Sequence, residues 1–150
     1  MPTEFESTTY AAQSAAASNS GNMIATSELI SGKVSFLQSS VTTPAGTGAA
    51  DTILLGYLPS GMTLVPDMST VTVDAAAGAS TLDIGIATNS TLFAAELDIS
   101  AVTSALLGTV GTSTGAPYKS TERTAIVATL SGAVTAAKAI RFSFFLVNSN

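Results

Sequence analysis

The stretch from Ala50 to Asp67, ADTILLGYLPSGMTLVPD, decides how the rest of the chain reads. Ile53, Leu55 and Tyr57 occupy alternate positions, Leu58-Pro59-Ser60-Gly61 interrupts, and Met62 and Leu64 resume the alternation. Period-two alternation marks a strand with one buried face, and a Pro-x-Gly stop between two such runs marks a tight reversal. The stretch predicts a strand, turn, strand unit, read as a β-hairpin. It carries no catalytic group, which suits a chain that holds a shape and binds another protein.

The same pattern extends on both sides. Upstream, Gly32 to Val41 reads as a strand with Val34 and Phe36 on one face and Lys33 and Ser35 on the other, followed by a turn-rich loop from Thr42 to Gly48. Downstream, Met68 to Asp74 alternates through Val71 and Val73, and Thr81 to Ala87 alternates most clearly, with Leu82, Ile84 and Ile86 against Asp83 and Gly85. Residues 91–107 mix signals: Leu92, Ala95, Ile99, Val102 and Leu106 fit a helical face, but Ile99, Val102 and Thr103 are β-branched, so only a short helical turn at Leu92 to Glu96 is expected. Gly108 to Pro117 reads as a long flexible loop. Thr124 to Leu130 and Ala139 to Val147 close the chain as strands, the last placing Ile140, Phe142, Phe144 and Leu146 on one face. Its other face carries Phe145 and Val147, and a strand apolar on both faces is covered on both sides. Short strands at short intervals with turn residues between them predict an all-β fold, a single antiparallel β-sandwich spanning residues 29–150.

Residues 1–28 stand apart as an extended N-terminal arm. The segment is rich in Ala and Ser, and its large apolar anchors are Phe5, Tyr10, Met23 and Ile24. It cannot bury enough area to offset the cost of ordering it alone, so a surface of the domain, a sister subunit or a larger partner is expected to receive it. Fully extended, such an arm reaches roughly 90–100 Å, enough to cross onto a neighbour.

Composition narrows the function. A chain of 150 residues supports one domain. Charged residues make up 10% of the chain, against roughly a quarter in an ordinary soluble domain. Mean hydropathy is +0.46, yet no apolar run approaches the ~18–20 residues of a membrane span, so no membrane partner is expected. Weak charge with abundant Ala, Val and Leu predicts surface hidden against other subunits. The net charge of −5 argues against a nucleic-acid partner. It is unevenly placed, −8 over residues 1–98 and +3 over residues 99–150; strand pairing would mix these charges, whereas subunit contacts could oppose them. The acidic start, Met1-Pro-Thr-Glu-Phe-Glu, lacks the pattern of a signal peptide, which implies synthesis in a cytoplasm.

The chain has no His and no Cys, which removes the usual nucleophilic triads and ordinary zinc or haem ligation. Glu96-Leu97-Asp98 is a close carboxylate pair, with Asp74 and Asp83 as potential neighbours, but no calcium-loop spacing accompanies it and solvated surface acids explain it. Gly46-Thr-Gly48 lacks the third glycine of a dinucleotide fingerprint, and Asn89-Ser90-Thr91 is a chance-level glycosylation sequon. No enzyme, metal or cofactor is expected.

Taken in order, several motifs resemble a known family. Tyr10-Ala-Ala-Gln13 lies in a small-residue arm, Ala50-Asp51-Thr52-Ile53 leads to Gly56-Tyr57-Leu58-Pro59-Ser60-Gly61, Leu82-Asp83-Ile84-Gly85 precedes Leu92-Phe93-Ala94-Ala95, and Ala125 to Leu130 precedes a final aromatic strand. This order, over about residues 10–148, resembles small structural proteins of tailed bacteriophages, above all the head decoration, or cement, proteins. The resemblance implies a jelly-roll-like sandwich that forms homotrimers on the outer surface of an icosahedral head and binds the major capsid protein, with no catalytic residues. The Ala/Ser-rich run Ala11 to Ser20 departs from the family pattern. The assembly contacts expected are Phe5, Tyr10, Met23, Ile24, Tyr118, Phe145 and Val147. Two alternatives are a tail or fibre component and a carbohydrate-binding sandwich, for which Tyr118 would be the aromatic platform in a chain without Trp.

Overall fold

The computed structural model describes residues 4–6, 34–43, 46–74, 80–101, 103–110, 115–135 and 137–148. They form strands β1 (Glu4–Glu6), β2 (Val34–Thr43), β3 (Thr52–Leu58), β4 (Met62–Leu64), β5 (Thr70–Val73), β6 (Thr81–Ile86), β7 (Asn89–Asp98), β8 (Thr103–Leu106), β9 (Tyr118–Lys119), β10 (Thr124–Leu130) and β11 (Lys138–Asn148), with 3-10 turns at Pro66–Met68 and Leu107–Thr109. The first sheet runs β1-β3-β10-β6-β7, and the second runs β8-β5-β11-β4-β9 with β2 also paired to β11. All pairs are antiparallel except β1 with β3, where Phe5 lies opposite Ile53. The expected all-β sandwich is the fold.

Except in β2, where Val34 and Phe36 face outward and Ser39, Val41 and Thr43 are buried instead, the inner faces are those the alternation marks. Ile53, Leu55, Leu82, Ile84, Ile126 and Leu130 of the first sheet meet Leu64, Val71, Val73, Ile140, Phe142 and Phe144 of the second, all essentially inaccessible to water. At about 25 cal/mol per Å² of apolar area, this layer is the main source of stability.

Strand β11 is the spine of the second sheet. One edge pairs with β2 from Lys138 opposite Thr43 to Val147 opposite Val34. Its other edge meets β5 over Ile140–Ser143 and β4 over Leu146–Asn148, so the partner strand is broken in two. The 3-10 turn at Pro66–Met68 takes up the break, and buried Ser69 repairs it. The Phe145 N–H donates to Ser69 Oγ at 2.9 Å, and that hydroxyl donates onward to the Val65 carbonyl at 2.8 Å. The seam thus keeps its backbone groups satisfied without a continuous ladder.

Two expectations fail. The Ala50–Asp67 stretch forms both predicted strands, but not a hairpin: β3 pairs with β1 and β10 in the first sheet, and β4 with β11 and β9 in the second. Gly61, at φ 82°, lets the chain turn from one sheet to the other. The turn closes with Met62 N–H on the Pro59 carbonyl at 3.2 Å, while Gly61 N–H bonds the Ser120 carbonyl at 2.8 Å and Ser120 N–H bonds the Met62 carbonyl at 2.9 Å. Alternation identifies a strand's buried face but not its partner, and here distant segments supply better partners than the neighbour in sequence.

The second failure is the helical turn at Leu92 to Glu96, which is extended within β7. The cause is a register irregularity between β6 and β7. Glu96 takes φ 56°, and its N–H is accepted by Asp83 Oδ1 at 2.8 Å. An irregular strand loses its clean period of two, and the resulting apolar spacing imitates a helix. The sequence reading also missed β1, β8 and β9. Of the Gly108–Pro117 loop, residues 111–114 lie outside the described residues.

Candidate assembly surfaces

Sheet pairing gives the molecule two outer faces of different chemistry. On the first sheet, Thr81, Asp83 and Thr129 point away from the core, and exposed Glu96 and Asp98 stand on the adjoining β7 edge. Their polar groups bond locally. Thr81 Oγ1 bonds Ser131 Oγ at 2.7 Å, and Asp98 Oδ1 accepts from the Ser100 N–H at 2.7 Å. The Ser100 hydroxyl, and then its backbone N–H, hold the Asp98 carboxyl below its ordinary 3.8. Further along this face the Arg123 guanidinium lies over the Tyr57 ring, 3.7 Å from its centroid, a cation–π contact.

The second sheet's outer face carries an apolar patch at one end, while Gln38, Ser40, Ser143, Arg141, Thr70 and Thr72 fill its middle. Register places Val34 beside Val147 and Phe36 beside Phe145. The two Phe rings meet edge to face with centroids 5.3 Å apart. Phe36 is 58% exposed and Val34 49%. At the far margin of the same sheet Leu106, opposite Thr70, is 42% exposed, and Met68 in the 3-10 turn is 54% exposed. These are the large exposed hydrophobics among the described residues: three lie on strands of the second sheet, and Met68 lies in the turn between its β4 and β5. The hydroxyls of Thr72 and Ser104 lie 3.4 Å apart on this face, and Arg141 is ion-paired to Asp74 at 2.8 Å.

The predicted contact residues fall into separate places. Phe145 and Val147 are half-buried on the second sheet's outer face, beside Phe36 and Val34, which the assignment of contacts omitted. Their alternation in sequence reads as a buried face, but the structure turns the other face of β2, with Ser39, Val41 and Thr43, into the core. Tyr118 is half-buried in β9 with its ring edge-on to Phe93, centroids 5.9 Å apart. It also borders a shallow cleft of about 230 Å³ with Ile86, Thr88, Glu122 and Arg123. Phe5 lies in β1, whose backbone pairs with β3. Tyr10, Met23 and Ile24 lie outside the described residues.

Among the described residues no group of three or more acidic, His or Cys side chains is placed to hold a metal ion. Among the same residues no helix is long and apolar enough to cross a membrane.

No protein-family model and no curated protein matches the chain. Solved structures share its fold. A chain in the Cyanophage Pam1 capsid asymmetric unit is similar with a TM-score of 0.59 and 20% identity, over 79% of this chain and 86% of that one. A chain in the capsid of Ralstonia phage GP4 is similar with a TM-score of 0.55 and 23% identity, again over 79% of this chain and 86% of that one. At these identities the likeness is one of architecture: this chain is built on a two-sheet fold that also occurs among the chains of phage capsids.

Proposed function

We propose that this chain is a non-enzymatic structural protein of a bacteriophage virion, a decoration or cement protein that binds the outer surface of the head as a homotrimer. The observation that carries this reading is the shared fold with chains of two phage capsid structures, over most of both partners' lengths. The chain's low charge and the exposed Val34/Phe36 patch on its second sheet support it, because both favour burial against other protein surfaces. The partner is the major capsid protein, the protein is made in the host cytoplasm, and neither nucleic acid nor membrane takes part.

The mechanism is mechanical. Three modest contacts in one trimer act at high effective concentration, so avidity exceeds a single contact by roughly 10²–10⁴. A protein that binds the assembled shell and not dispersed subunits stabilises the shell by mass action. The arm at residues 1–28 adds a second attachment, to a neighbouring copy or to the shell.

Co-sedimentation with undecorated heads tests this. The full chain is expected to sediment with the heads, and a chain beginning at Glu28 is expected to lose at least tenfold in affinity. Equal binding by the shortened chain would remove the arm from the mechanism. Particles that carry the protein only on the tail would replace this reading with a tail or fibre component.

A further inference from the structure

The two 3-10 turns, Pro66–Met68 between β4 and β5 and Leu107–Thr109 after β8, pack against each other. The Leu107 N–H ties them by donating to the Ser69 carbonyl at 2.9 Å. Asp67 stands in the first of these turns, and its carboxylate fills the space beside two glycines. A Cβ at Gly108 would overlap Asp67 Oδ1 and stand 2.9 Å from the carboxyl carbon. A Cβ at Gly115 would stand 2.7 Å from the same oxygen and 3.1 Å from the Gly108 carbonyl oxygen. The two glycines differ in backbone. Gly115 has φ 62°, a conformation that favours glycine whatever surrounds it, whereas Gly108 lies outside the left-handed region. Only the Asp67 side chain explains why residue 108 carries no Cβ.

We propose that Asp67 is a clasp: one carboxylate oxygen, carried by the turn between β4 and β5, seats against both ends of the Gly108–Gly115 segment and closes its base. Bringing the two ends of a loop together costs chain entropy, and a side chain from elsewhere in the fold that meets both ends holds that closure. The segment is thereby coupled to the second sheet's broken strand, through a residue that sequence reading treats as part of a turn. A glycine that merely relaxed its own turn would behave in the opposite way, because alanine at a compatible backbone position is neutral or slightly stabilising.

A double-mutant cycle in the full chain separates the two cases. Asp67 is exposed, so Asp67→Ala leaves the core intact. Gly108→Ala is expected to lower the folding equilibrium constant about tenfold in urea unfolding, by overpacking. In the Asp67→Ala background the same substitution is expected to cost no more than about threefold, the remaining close contact being the Asp67 backbone nitrogen, 3.0 Å from the added carbon. Gly115→Ala should keep more of its cost in that background because of its φ. NMR order parameters report the clasp itself: Asp67→Ala should lower them at Val110 and at Gly115 and Ala116 together while leaving Phe142 and Phe144 unchanged, and Asp67→Asn, which fills the same space, should preserve both ends. An equal cost of Gly108→Ala in the two backgrounds, or loosening at one end alone or at neither, would overturn the clasp. If Gly108→Ala does not fold, recovery of a folded chain on adding Asp67→Ala supports the clasp, and failure to recover it counts against it.

Discussion

The two outer faces of the sandwich share one core and differ in their exposed large hydrophobics, which lie on the second sheet's side. Beside Leu54, Tyr57 and Val127, the first sheet's face carries short polar side chains and carboxylates that bond to their own neighbours, as Asp98 does to Ser100 and Asp83 to the Glu96 backbone. On the second sheet's face Phe36, Val34 and Leu106 stand in solvent, as does Met68 in the adjoining turn. Water satisfies the first face, and apolar contact would satisfy the second.

Three experiments would break or sharpen that contrast. The largest effect is expected at adjacent residues of β11. Phe144 is fully buried and Phe145 lies on the outer face. Phe144→Ala should cost about 3–5 kcal/mol in urea unfolding of the dilute chain, whereas Phe145→Ala should cost about 1 kcal/mol because its ring still meets water. Equal losses would mean that the outer face is as much a core as the inner one.

Next comes the seam in the same sheet. Ser69→Ala removes the acceptor of the Phe145 N–H and should cost about 1–3 kcal/mol by leaving that group unsatisfied. Hydrogen exchange at Phe145 should accelerate with it; unchanged protection would show that another group takes over.

The smallest effect belongs to the first face. Because the Asp98 carboxyl titrates below its ordinary 3.8 in the folded chain, its contribution is present above that value and is lost as pH falls through the lowered pKa. Ser100→Ala should move the Asp98 titration upward in an NMR experiment. No movement would mean that the local bonds of this face do not hold in solution.

Strands with a regular period were legible in the sequence. Thr124 to Leu130 has the limits read from its residues, and Leu82, Ile84 and Ile86 are buried as their alternation predicts. Legibility stopped where the period broke. Glu96 at φ 56° disturbs β7, so that a strand resembled a helical turn. It also stopped at short strands: β9 has two residues, too few for any pattern. Half of the second sheet's apolar face was legible through Phe145 and Val147, but the role of Val34 and Phe36 emerged only from their register with β11.

The sequence by itself determined the class of the fold, the inner faces of its strands other than β2 and the lack of His and Cys chemistry, because side-chain period and residue type are local properties of a chain. Only the tertiary structure decided that the two strands of Ala50–Asp67 part into different sheets and that Phe36 meets Phe145 on an outer face. Strand pairing is a choice among distant segments, made by the total burial and hydrogen bonding of the whole sandwich, and no local pattern encodes that sum.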